Sequence, residues 1–171
     1  VAHELDGDWS PDGRALVAEI IDPGGIEPQG FIIVPLEAGE AAARRIPAVG
    51  DFAAWSPVAD TILYHSVDGL RLIGTDGGDS RLLASNEDDG TEAFYGAWSP
   101  DGLTVYYMAR GAEGWMIRAV PTRGGRSRVL VRFDDPERQQ ARYGFATDGE
   151  TFYFTVGSHE SDVWVLELGG P

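Results

Sequence analysis

Trp98-Ser99-Pro100-Asp101-Gly102 is the phrase whose reading decides the fold. It occurs in full once more, as Trp9-Ser10-Pro11-Asp12-Gly13. Trp55-Ser56-Pro57 keeps the first half, with Val58-Ala59-Asp60 where Asp-Gly would fall. Phe145-Ala146-Thr147-Asp148-Gly149 is a diverged fourth copy. The copies start at 9, 55, 98 and 145, so they are 46, 43 and 47 residues apart. A period in the forties, with an aromatic closing a short strand, marks an array of four-stranded blades.

Each copy carries the same series of events. A short strand ends on the aromatic: Asp51 to Trp55, Ala93 to Trp98, Arg142 to Phe145. Ser-Pro-Asp-Gly then turns the chain, because Pro presets φ, Asp bonds back to the backbone and Gly accepts a left-handed conformation. A second strand follows, rich in β-branched and aromatic residues: Ala15 to Ile21, Thr61 to Val67, Thr104 to Ala109, Thr151 to Val156. Third strands are expected at Gly30 to Leu36, Gly69 to Thr75, Trp115 to Val120 and Asp162 to Leu168. Fourth strands are expected at Ala42 to Ile46, Arg81 to Ala84 and Ser127 to Phe133, with arginines suited to an outer edge. Glu37 to Arg45 is the one helix-friendly stretch, and its glycine weakens it.

The reading is an all-β chain, a β-propeller array of about four four-stranded antiparallel blades. Residues 1–171 form one array, with blades at about 3–46, 51–84, 93–133 and 142–170. The last copy has three strands and residues 1–8 supply only a first inner strand, so the expectation is part of a ring of six to eight blades. A closed four-blade ring is the alternative. The start at Val1 reads as a cut edge, so the chain says nothing about a leader. The aromatic at the end of each inner strand is expected to wedge between neighbouring blades.

Composition bounds the function. The chain is 43% hydrophobic, enough for a core, and its formal net charge is −15. All 13 basic residues are arginine. That acidity repels a phosphate backbone and anionic lipid, which argues against nucleic-acid partners and membrane docking. No apolar run approaches the ~20 residues of a membrane-spanning helix. With no cysteine there is neither a disulfide nor a thiolate metal site.

No set of residues spells out a reaction. There is no Gly-x-Ser-x-Gly elbow, no Walker loop and no dinucleotide fingerprint. The three histidines, His3, His65 and His159, lack the spacing of a helical zinc pair. His65 lies within a strand and reads as a satisfied structural histidine. Asn86-Glu87-Asp88-Asp89-Gly90-Thr91-Glu92 is rich in hard oxygen ligands, but its spacing is not that of an EF-hand, and a solvated acidic loop is the alternative reading. No catalytic residue, metal or cofactor is expected.

Placement gives a candidate site. Strands alternate direction, so the loops after second and fourth strands share one face of the array. That face collects the acids and the long loops 22–29, 85–93 and 134–142. Long loops on a rigid scaffold carry function. The candidate ligand-binding residues are Glu87, Asp88, Asp89, Asp134, Asp135, His159 and Glu160, beside the mouth of a central channel. Such a face suits a cation or a basic partner.

The phrase, followed by Leu70-Arg71-Leu72-Ile73-Gly74-Thr75-Asp76-Gly77-Gly78 and Arg81-Leu82-Leu83, resembles the TolB-type β-propeller repeat. The resemblance spans the chain and is sharpest in the second and third copies. Related repeats stand behind bacterial serine/threonine kinase domains, where tails similar to Glu160 to Leu168 occur, and in the caps of prolyl-oligopeptidase-type enzymes. The resemblance implies a non-catalytic module that binds a protein or peptide in a periplasmic or sensory setting, a partner that includes the missing part of its own chain. The alternative is a cap or sensor of a larger enzyme. A third reading, a sugar-binding or lyase propeller, needs inward His, Arg and acid groups converging on a metal.

Overall fold

The computed structural model describes residues 7–21, 28–38, 40–87, 90–135 and 139–157. Among them lie three complete antiparallel four-stranded meanders and one strand pair. Blade one is β1 (Gly7–Trp9), β2 (Ala15–Ile21), β3 (Pro28–Pro35) and β4 (Arg44–Ile46). Blade two is β5 (Asp51–Trp55), β6 (Thr61–Ser66), β7 (Gly69–Gly74) and β8 (Arg81–Ser85). Blade three is β9 (Glu92–Trp98), β10 (Thr104–Gly111), β11 (Gly114–Pro121) and β12 (Arg128–Phe133). β13 (Gln139–Thr147) and β14 (Phe152–Gly157) open blade four. The third strand expected at Asp162 to Leu168 lies outside the described residues. The helix-friendly stretch forms only a 3-10 turn, Glu40–Ala42.

Blades two and three are apolar on both faces, because each face meets a neighbouring sheet. Val17, Phe31, Ile33 and Ile46 of blade one pack on Trp55, Ile62, Tyr64 and Ile73 of blade two. Leu63, Leu70 and Leu72 turn the other way, onto Val105, Tyr107, Met116 and Val120 of blade three. Met108, Ile117, Tyr106 and Phe133 then meet Phe145 and Phe152 of blade four. Alternation thus sends Ile62 to one neighbour and Leu63 to the other, which is why β6 reads as a continuous apolar run. Each such side chain contributes roughly 1.5–3 kcal/mol when fully buried.

The aromatic wedges follow this order with one exception. Trp55 is 7% and Phe145 6% exposed, and half-buried Trp98 donates its Nε1–H to the Ala54 carbonyl of blade two at 3.0 Å. Trp9 is 57% exposed, contrary to expectation. A wedge packs on the blade before it, and no described element covers that side of blade one. At the outer rim, Arg44 of blade one reaches the Thr75 carbonyl of blade two. Arg81 of blade two reaches the equivalent Thr122 carbonyl of blade three. The edge arginines therefore clasp the next blade as well as facing water.

The repeated phrase closes its hairpin through the serine and the aspartate. Ser99 Oγ–H donates to Asp101 Oδ1 at 2.6 Å, and Ser99 Oγ accepts the Thr104 N–H at 2.9 Å. Ser10 and Asp12 repeat this at 2.7 Å, with Ala15 N–H on Ser10 Oγ at 2.9 Å. The main-chain bond Gly102 N–H to Ser99 O (2.9 Å) has its counterpart in Gly13 N–H to Ser10 O (2.8 Å). Copy two, lacking Asp-Gly, keeps the outer closure, Ser56 N–H to Thr61 O at 2.8 Å.

Gly13 and Gly102 share φ = +69°, but their surroundings differ. A Cβ on Gly13 meets nothing, whereas one on Gly102 falls 2.3 Å from Val58 Cγ2 of the preceding blade. Gly13→Ala is expected to cost about 1 kcal/mol for its left-handed backbone alone. Gly102→Ala is expected to cost distinctly more, and urea unfolding of the two variants checks the order.

The turn aspartates also set an acid limb. The Ser99 hydroxyl, then the Leu103 N–H, hold Asp101 below the ordinary 3.8. The Ser10 hydroxyl and Arg14 N–H do the same for Asp12, and the Thr151 and Glu150 N–H groups for Asp148. As pH falls below 3.8 the unfolded chain binds protons that the folded turns still refuse. Their stabilising contribution is therefore whole above that value and is lost as pH descends through the folded values. All three are exposed, so each effect is small and screened by salt. Melting temperature against pH is expected to fall less steeply in this acid range for Asp101→Asn than for the parent chain.

Candidate functional site: the inner-strand cleft

The inner strands of the blades converge on a cleft of about 380 Å³. β1 gives Gly7 and Asp8, β5 gives Phe52 and Trp55, β9 gives Tyr95 and Trp98, and Thr147 closes the lining at the end of β13. Asp8 joins the first two blades: its Oδ1 accepts the Trp9 N–H and its Oδ2 the Trp55 N–H, both at 2.8 Å. Its carboxylate is thus held at the wall of the cleft by two fixed donors.

Bulges shape the wall. In blade two, Asp51 pairs with His65 and Ala54 with Leu63, so Phe52 and Ala53 together oppose Tyr64. Blade three repeats the irregularity, with Phe94 and Tyr95 opposite Met108. Phe52 takes φ = +54°, the one positive φ on a non-glycine residue among the described residues. Such a conformation costs on the order of 1–3 kcal/mol and persists only where its surroundings fix it. Here the ring sits edge-on to Tyr95 at 6.0 Å, and Tyr95 is edge-on to Phe145 at 5.6 Å. Phe52 and Tyr95 on successive inner strands therefore place a row of rings on the cleft wall, backed by the buried Phe145.

Beside this row, His65 Nδ1 lies 2.6 Å from Asp51 Oδ1. An ionised carboxylate only accepts, so Nδ1 carries the proton. The imidazole stacks on Phe94 at 6.0 Å and 17° across the blade seam. His65 is thus a satisfied histidine, as expected, but it sits one residue from the end of β6, at the rim rather than in mid-strand.

Of the predicted acids, the described ones are not among the residues lining the cleft. Glu87 follows β8 and is exposed; Asp134 and Asp135 follow β12 and are exposed. Asp88, Asp89, His159 and Glu160 lie outside the described residues. Other rim acids are engaged by arginine: Asp68 with Arg71 at 2.6 Å, and Glu113 with Arg132. Among the described residues, no group of three or more His, Asp or Glu is placed to hold a metal ion. Sequence reading missed Phe52 and Tyr95. Their aromatic character was visible, but the bulges that aim them depend on cross-strand register.

Radial meanders wedged by inner-strand aromatics define a β-propeller array. No protein-family model and no curated protein matches the chain. Solved structures do. It is similar to a protein described as TolB from Agrobacterium tumefaciens, with a TM-score of 0.61 at 15% identity over 75% of this chain and 49% of that one. A chain of a nidogen/laminin complex gives 0.56 at 15% identity, over 76% and 48%. An oligogalacturonate lyase from Vibrio parahaemolyticus gives 0.59 at 19% identity, over 82% and 45%. The chain thus has the TolB-like β-propeller fold, and it spans about half the length of these structures.

The two tryptophans of the cleft differ in one bond. Trp98 Nε1–H has its acceptor on Ala54, whereas the buried Trp55 Nε1–H has no hydrogen-bond partner. Trp98→Phe is expected to leave the Ala54 carbonyl without its donor and to cost about 1 kcal/mol more than Trp55→Phe, which removes an orphan donor. Chemical unfolding of the two variants measures the difference.

Proposed function

We propose that this chain is a non-catalytic propeller module that binds a protein or peptide, in the bacterial envelope or as the sensory part of a larger protein, with the periplasm as its compartment. Residues 1–171 act as one array in this reading. The observation that carries it is the inner-strand cleft, with a row of aromatic rings, a fixed carboxylate at Asp8, and a strained Phe52 held in place. Aromatic anchors in a preformed cleft are what peptide recognition uses, because large rigid rings lose little entropy on binding. The rim acids Glu87, Asp88, Asp89, Asp134, Asp135 and Glu160, with His159, set the charge of the approach. A net charge of −15 favours a basic partner and speeds its encounter. One of the similar folds comes from a nidogen/laminin complex, which supports a protein-binding role.

The test is titration of the chain with a panel of labelled extended peptides, basic and acidic, read by fluorescence anisotropy. Basic peptides with an aromatic or aliphatic anchor are expected to bind, and Tyr95→Ser to weaken them by about tenfold or more. Asp134→Asn with Asp135→Asn is expected to slow association and to flatten its dependence on salt. Absence of binding by any peptide at every salt concentration, together with an empty pull-down from a bacterial envelope extract, sinks the reading.

One observation favours a second reading. The lyase likeness covers 82% of the chain, and the Asp51–His65 pair lies at the rim of the cleft. A lyase-like or sugar-binding propeller needs a divalent cation to gather such groups. A thermal shift without change on adding calcium or manganese removes it.

A further inference from the structure

Blade one breaks the repeat at one position. The residue before the wedge is Ala54 in blade two, Ala97 in blade three and Gly144 in blade four, but Asp8 in blade one. Blades two and three thus pack with only a methyl group there. Asp8, Ala54 and Ala97 all line the inner-strand cleft, so three blades contribute equivalent positions and one of them carries charge. Among the described residues lining the cleft, Asp8 alone is ionisable to a carboxylate, and no arginine or histidine stands with it.

That carboxylate is half-buried, where an opposite charge is screened less than at the exposed rim. Its Oδ1 accepts the Trp9 N–H and its Oδ2 the Trp55 N–H, both at 2.8 Å. An ionised carboxylate has about four lone-pair sites, so each oxygen keeps room for one more donor. Two adjacent oxygens, each open to one donor, match the fork of a guanidinium.

The rest of the wall suits the same group. Phe52, Tyr95 and Trp98 line the cleft and are half-buried, so ring surface is left to be covered. A guanidinium is planar and weakly hydrated, and it stacks on aromatic faces while its charge pairs with a carboxylate. An ammonium is more strongly hydrated and has no flat face. A bare calcium ion takes about six to eight oxygens, which a single carboxylate does not supply. A volume of about 380 Å³ falls at the small end of ligand sites, roughly 300–1,000 Å³, and suits inserted side chains better than a folded partner.

We propose that the cleft takes an arginine of a peptide partner, its guanidinium paired with Asp8 and its flat face on the aromatic row, next to the peptide's apolar anchor. This rests on the peptide-binding reading of the cleft and adds a required residue type to it. The rim acids attract any basic chain from a distance, whereas Asp8 selects one arginine at contact.

The experiment is a citrulline scan, because citrulline keeps the shape of arginine and removes its charge. A labelled peptide with an apolar anchor and several arginines is titrated with the chain by fluorescence anisotropy, at about 0.15 M and about 1 M salt. At 1 M salt the Debye length is about 3 Å, so steering by the rim is suppressed. Citrulline at one position is expected to weaken binding about tenfold or more at both salt concentrations. At the other positions its cost is expected to vanish at high salt. Lysine at the selected position is expected to bind several-fold more weakly than arginine. On Asp8→Asn, folded by far-ultraviolet circular dichroism, the same citrulline replacement is expected to cost less than about twofold. If Asp8→Asn does not fold, Tyr95→Leu serves instead: it leaves both donors to Asp8 in place and is expected to lower the arginine-over-citrulline preference. Equal costs at every arginine, all lost at high salt, overturn this inference and leave the peptide-binding reading standing. A citrulline cost undiminished on Asp8→Asn overturns it as well. Absence of binding by every peptide overturns both.

Discussion

The structure depends on one contact, repeated along the chain: the aromatic at the end of an inner strand, pressed against the inner strand before it. A four-stranded sheet with two apolar faces cannot stand alone in water. It needs a cover on each side, and in a radial array its neighbours provide both. Trp55 and Phe145 are buried because a blade precedes them, and Trp9, in the same local sequence, is exposed because no described element does. Local sequence is therefore not what buries the wedge. Stability in such an array resides in the seams, as in other repeat proteins, where each unit is marginal and the interface between units is not.

The seam has two ends with different chemistry. Near the axis it is apolar, with an indole N–H finding a carbonyl from Trp98 to Ala54. At the rim it is polar, and a guanidinium of the fourth strand reaches a turn carbonyl of the next blade, from Arg44 to Thr75 and from Arg81 to Thr122. A planar fork of fixed donors suits an exposed carbonyl better than a mobile ammonium does. That is a physical reason for arginine, the one basic residue type of the chain, at Arg44 and Arg81 on the fourth strands.

Much of this was legible in the sequence, because strands and turns are governed by local rules. β2 and β5 begin and end where alternation and turn chemistry put them, and the bond of the turn aspartate back to the backbone follows from residue types alone. The cleft was less legible. Phe52 and Tyr95 are aimed by bulges, and a bulge is a mismatch between two strands that neither strand encodes by itself. The rim acids were visible as charge, yet charge gives a face and not a contact. Glu87, Asp134 and Asp135 are exposed as a solvated rim requires, while the lining of the cleft comes from residues that read as ordinary strand.

These observations bear on where a propeller of this kind places its working surface. Holding Phe52 at φ = +54° requires a surplus of stability nearby. The buried seams on either side of β5 supply it, through Trp55, Ile62 and Tyr64 on one face and Leu63, Leu70 and Leu72 on the other. The outer loops have no comparable support. A loop adapts to its ligand and loses entropy in doing so, whereas a bulged inner strand clamped between two sheets presents its ring already placed. Rigidity at the axis and charge at the rim thus have separate roles. In the proposed binding role, long-range attraction belongs to the acids, and geometric selection belongs to the aromatic row.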